Sequence, residues 1–201
     1  MSTIKKRRIS TADLCYIGVM SAISVVLSLT LKIPMAFLAP WLKLDLSFVP
    51  VMLTGFALGP VSGLIVLTIT NVIHLFVSDS AMVGQLADFL LGLCFMLPAS
   101  LIYRRQHTRR GALIGMIVGS VCMIVGGILS NLYLLLPLYL GADYAQKLVN
   151  VGFSSVSNCI AVAVIPFNLI KGVVVSAVTF VLYKRLSRLL HRAQQKEGNR
   201  K

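Results

Sequence analysis

The sequence predicts an all-α integral membrane protein, with six transmembrane helices and both termini cytoplasmic. Three observations carry this. Apolar residues make up 57% of the 201 positions and charged ones 12%, with a mean hydropathy of +0.88. Water-soluble domains of this size do not need so much apolar surface. The apolar residues fall in runs long enough to cross a bilayer rather than in amphipathic stripes. And 15 of the 19 Lys and Arg residues lie in three short clusters, at Lys5–Arg8, Arg104–Arg110 and Lys184–Lys201. Clusters of this kind mark cytoplasmic loops and tails, which leaves a nucleic-acid patch as the poorer reading of the net charge of +13.

In chain order, residues 1–10 form a basic tail and 14–31 the first span. No convincing small-residue cleavage site follows that run, so it is expected to stay as a span. Gly18 and Ala22 stand four apart on it, a small-xxx-small step that lets another helix approach closely. The two prolines, Trp41 and two lysines of 32–44 predict an interfacial loop. The runs 46–58 and 61–77 are separated by Gly59-Pro60; read as one they would be too long for a span, so two spans and a tight turn are expected. Asn71 and His74 interrupt the third, where a hydrogen-bonded packing histidine is favoured over a proton relay.

Gln85 and Asp88 open the fourth span, 84–103, where an acceptor suits the helix dipole, so capping competes with binding for Asp88. The fifth span, 111–139, carries Asn131 in its outer half. The polar stretch 142–157 precedes a sixth, 158–183, and the tail 184–201. Asp45, Asp79 and Asp143 then lie in outside loops. The single transmembrane domain 1–201 leaves no room for a sizeable soluble unit. Four scattered cysteines show no metal or disulfide spacing and read as buried small hydrophobes, so no metal site is expected.

One stretch concentrates polarity in the last span: Pro166-Phe-Asn-Leu-Ile-Lys-Gly172. A lysine near the centre of a span costs at least about 2.5 kcal/mol and so faces protein or a cavity. Asn168 and Lys171, three apart, share a helix face. A polar ligand site and a snorkelling lysine both fit. No nucleotide-binding P-loop, catalytic triad or paired acids occur, so an enzyme is not expected. A membrane protein with a ligand-like site and no engine suggests a binding subunit energised by partners.

Several segments resemble the substrate-binding S components of energy-coupling factor (ECF) transporters. Trp41-Leu-Lys-Leu-Asp-Leu-Ser-Phe-Val-Pro50 is similar to their L-K-x-D-[FL]-S-x-x-P, and Phe56-Ala-Leu-Gly-Pro-Val-Ser-Gly63 to F-x-x-G-P-x-x-G. Gly84-Gln-Leu-Ala-Asp-Phe89 is similar to G-E-[LI]-[AM]-N-F, and 166–172 with Tyr183-Lys-Arg-Leu-Ser187 to P-F-N-x-x-K-G and Y-K-R-L-S. Together they look most like the riboflavin-specific members. The resemblance implies an S-component fold in the cell membrane that binds riboflavin for uptake, as a transported ligand rather than a cofactor. The partners it implies are a transmembrane coupling subunit and two cytoplasmic ATPases.

By the same resemblance Asn168 and Lys171 hydrogen-bond the flavin, with Asn131 and Gly84, while the loop at Leu44 and Asp45 helps to cover it. Gly18 and Ala22 form the contact for the coupling subunit. Gln85 and Asp88 depart from the family's Glu and Asn, which moves a negative charge by about one helical turn and bears on the choice of ligand. An S component for another vitamin, and a membrane scaffold protein that binds no ligand, are the alternatives.

Overall fold

The computed structural model describes residues 10–77, 82–141 and 143–198, with side chains through Tyr183 apart from Tyr139. The amino-terminal basic cluster, Asp79 and the side chains of the carboxy-terminal basic tail lie outside the described residues. Helix α1 (Thr11–Thr30) starts at a capping box. The Asp13 amide donates to Ser10 Oγ (3.2 Å) and the Ser10 amide to Asp13 Oδ2 (3.0 Å), satisfying two amides that no helical turn can reach.

The expected loop over 32–44 contains a small antiparallel ribbon, β1 (Ile33–Pro34) against β2 (Lys43–Leu44), with Ile33 opposite Leu44 and Pro34 opposite Lys43. Two residues per strand are too short for a period-2 signal, so hydropathy could not reveal it. Pro34, which has no amide hydrogen, is tolerated because both strands are edges.

α2 (Phe48–Leu58) and α3 (Pro60–Val77) form a hairpin around Gly59, whose φ of 99° suits glycine, with Pro60 at the start of α3. α2 has 11 residues, about 16 Å of helix, well short of a hydrocarbon core of about 30 Å. Among the described residues, five helical segments, at Thr11–Thr30, Pro60–Val77, Val83–Gln106, Arg109–Leu138 and Val156–Tyr183, are long and apolar enough to cross a membrane.

α4 (Val83–Gln106) and α5 (Arg109–Ser130) pack closely. A Cβ on Gly115 would stand 2.6 Å from the Ala99 carbonyl oxygen, and one on Gly119 2.5 Å from that of Phe95. The four-residue glycine spacing therefore lays one backbone against another, as small residues do between membrane helices.

α5 runs on through a π-helical turn, Asn131–Leu135, into α6 (Leu136–Leu140). After α7 (Tyr144–Asn150) and α8 (Val156–Cys159), a second π turn, Ile160–Val164, leads into α9 (Ile165–Gly198). Each π turn ends two residues before a proline, Pro137 or Pro166. A proline cannot donate to the carbonyl four residues back and its ring collides with it, so the preceding turn widens. α9 continues past the expected end of the span because 184–198 is rich in Leu, Arg, Lys, Gln and Ala, all good helix formers.

Two apolar clusters result. One, with Phe48, Met52, Phe95, Met96, Met116 and Val175, fills the bundle. The other, with Ala39, Leu42, Leu44, Leu136, Leu148 and Phe167, seats the ribbon segment on α6, α7 and α9. At the opposite end Tyr103 and Tyr183 share a hydrogen bond of 2.6 Å beside Phe56, joining α4, α9 and α2. Only Cys159 of the four cysteines is buried; Cys15 is exposed on α1, so packing inside the chain does not account for it.

Candidate ligand site

Lys171 is the seventh residue of α9 and is 2% exposed. Its ammonium meets Asp88 Oδ1 from α4 at 2.8 Å and Asp45 Oδ2 from the segment between β2 and α2 at 3.3 Å. It also lies 4.0 Å from the centroid of the Phe48 ring, a cation–π contact. A buried cation without a partner would be costly, so this arrangement, rather than snorkelling, is how the chain retains a lysine here.

Asp45 is held in turn by the Ser47 amide (2.8 Å) and by a short hydrogen bond from the Ser47 hydroxyl. Burial pushes its carboxyl up, but Lys171 and the two Ser47 hydrogen bonds outweigh that and hold it below the ordinary carboxylate range. A lowered value means the ionised form contributes stability above the ordinary range, and that contribution is lost only as pH falls through the lowered value. Melting temperature is therefore expected to show no Asp45-linked loss between pH 8 and pH 5, with the loss beginning below about pH 4. A midpoint near pH 6, abolished by Asp45→Asn, would contradict this.

The triad forms one wall of a cavity of about 200 Å³. Gly84, Asp45, Asp88 and Lys171 line it, with apolar surface from Trp41, Leu91, Leu135 and Phe167. On the α3 side stand Asn71 and His74. Lys32 and His74 Nε2 are 2.8 Å apart; since an ammonium only donates, Nε2 is the acceptor. His74 is thus a hydrogen-bonded histidine, as expected, and it ties the start of the ribbon segment to α3, as Asp45 ties its end to α9.

Two other expected site residues, Asn131 and Asn168, are not among the residues that line this cavity. Asn131, where the first π turn begins, donates through Nδ2 to the Gly127 carbonyl, and Asn168 to that of Val164, both at 2.8 Å. Both are buried, and each leaves an Oδ1 without a hydrogen-bond partner among the described residues. Buried amide oxygens left in this way are uncommon and ask for a function. The two side chains meet at Gly127, where a Cβ would come within 2.5 Å of Asn168 Nδ2.

Leu44 turns away from the cavity into the apolar cluster under the ribbon and is 5% exposed. Gly18 and Ala22 are remote from the site, exposed on α1, and a Cβ on Gly18 would meet nothing within 4 Å. Sequence reasoning set Asp88 between capping and binding; the structure joins it to Lys171.

The profile of the ECF transporter substrate-specific component matches residues 12–183. This chain belongs to that family. The substrate-specific component is 38% identical over 181 residues to the riboflavin transporter RibU of Staphylococcus aureus, covering 88% of this chain and 90% of that one. It is 29% identical over 176 residues to the riboflavin transporter FmnP of Bacillus subtilis, covering 86% and 90%. It also matches a solved structure of the S component of a bacterial ECF transporter, with a TM-score of 0.72, 38% identity, and coverage of 89% of this chain and 97% of that chain. The substrate-specific component is therefore a helical multi-pass membrane protein, and its relatives are transporter components.

Proposed function

We propose that this chain binds riboflavin and serves its uptake across the cell membrane, together with a transmembrane coupling subunit and two cytoplasmic ATPases. The observation that carries the reading is the buried Lys171, held between two carboxylates on the wall of a cavity with aromatic and aliphatic sides. Apolar walls with a few placed donors and acceptors suit a flat heteroaromatic ring. The riboflavin transporters among its relatives support the choice of vitamin.

Asn168, Asn131, Lys171 and Gly84 supply the polar contacts in this reading, with Asp45 and Leu44 in the segment that covers the ligand. A cavity of about 200 Å³ is below the roughly 300–1,000 Å³ of most small-molecule sites, so the ribbon segment has to move outward to admit the vitamin. Six membrane segments with cytoplasmic termini, the single domain 1–201, and no enzymatic chemistry complete the reading.

Detergent-purified protein is expected to quench riboflavin fluorescence with one-to-one stoichiometry. Colourless protein with no quenching up to micromolar riboflavin would overturn the assignment. Gly18 and Ala22 supply the coupling contact in this reading. Because a side chain on Gly18 meets nothing in this chain, Gly18→Leu is expected to leave riboflavin affinity within about twofold and to cut uptake by about tenfold or more in cells. Uptake at the wild-type rate would remove that face from the coupling surface.

A further inference from the structure

We propose that Asp88 is a specificity-determining residue of this site, accepting a hydrogen bond from the ring imide N–H of the flavin. The inference rests on the riboflavin reading above and deepens it.

The argument is one of donors and acceptors. The ammonium of Lys171 has three N–H groups and three partners: Asp88 at 2.8 Å, Asp45 at 3.3 Å and the face of Phe48 at 4.0 Å. Both oxygens of Asp45 are committed, Oδ2 to Lys171 and Oδ1 to Ser47, and its side chain is 13% exposed. Asp88 is the most accessible member of the triad at 29%, and it stands on the cavity wall. A carboxylate only accepts hydrogen bonds. A carboxylate acceptor on the wall attracts an N–H group and repels a lone pair, whatever Lys32 and Lys43, which line the same cavity, add to its net charge.

The ring system of riboflavin has a single N–H, the imide between two carbonyls, and is otherwise bordered by acceptors and apolar edges. Leu91, Leu135 and Phe167 on the same cavity supply cover for its flat faces. An asparagine at position 88, the residue the family resemblance leads one to expect, would present a donor as well as an acceptor and could not discriminate so sharply. Aspartate at this position therefore makes the site select for an N–H-bearing ring edge.

The test compares riboflavin with N3-methylriboflavin, whose imide hydrogen is replaced by methyl, by fluorescence quenching on the full-length purified chain. Wild-type protein is expected to prefer riboflavin by about tenfold or more, the range for a hydrogen bond to a charged group. In Asp88→Ala both ligands still bind and the preference falls to within about threefold, because the acceptor is gone and the methyl has room. Lys171 keeps Asp45 as its counter-ion in that variant. Asp88→Asn preserves the shape of the side chain and is expected to narrow the preference by at least about threefold, so the proposal does not depend on the alanine variant folding. A preference unchanged in both variants, or both ligands weakened by the same factor, would overturn the role of Asp88 alone. Wild-type protein that fails to quench riboflavin overturns the vitamin assignment instead.

Discussion

Lys171→Met is expected to abolish ligand binding and lower stability, with a larger effect than any other single change to the site. Methionine fills the space of the lysine stem but leaves the carboxylates of Asp45 and Asp88 facing each other without the ammonium between them. Breaking a buried pair by removing one partner costs about 3–5 kcal/mol, because the remaining charge is stranded. Here two are stranded and one has to take up a proton. On the riboflavin reading, affinity falls by about two orders of magnitude or more. Titration of riboflavin fluorescence together with a thermal melt in detergent checks both effects. Asp88→Asn added to Lys171→Met is expected to recover part of the stability, since it removes one of the stranded charges. Wild-type melting and affinity within threefold for Lys171→Met alone would mean that the triad is incidental.

Gly119→Val is expected to have the second-largest effect, on the fold rather than on the ligand. The first added carbon would stand 2.5 Å from the Phe95 carbonyl oxygen and 3.0 Å from the Phe95 ring. The nearest obstacle is backbone and cannot rotate away, so α4 and α5 have to separate. Overpacking a well-packed interior costs about 1–3 kcal/mol, and a two-methyl branch against a carbonyl lies at the upper end. For a chain of 201 residues a loss of about 3 kcal/mol lowers the melting temperature by about 6–12 °C. The monodisperse fraction on size exclusion should fall with it. Gly18→Leu, on the exposed face of α1, serves as the control because it adds more volume where nothing stands within 4 Å. Equal melting temperatures for the two variants would show that α4 and α5 are not held at backbone distance.

The glycine case shows where sequence reading stops. The four-residue spacing of Gly115 and Gly119 marks a close helix approach, but not which helix approaches; the partner, α4, is a fact of packing. The same holds for the polar face of α9. Asn168 and Lys171 were legible as a pair because three residues along a helix bring two side chains to one side, and because a lysine in an apolar run is conspicuous. The orphaned amide oxygens of Asn131 and Asn168, and their meeting at Gly127, required the two segments to be brought together. The π turns left a partial trace in Pro137 and Pro166, which mark a disturbed helix but not its form.

By itself the sequence determined that this chain lives in a membrane and roughly where its helices run, because hydrophobic length and basic flanks are properties of consecutive residues. It also marked the segments that carry the family resemblance. Only the tertiary structure decided what the buried lysine is paired with. Asp45 and Asp88 lie 126 and 83 positions from Lys171, and no local pattern can express an ion pair across such distances. In a low-dielectric interior a charge is tolerable only where its counter-charges stand, and it is the packing of α4, α9 and the ribbon segment that puts them there.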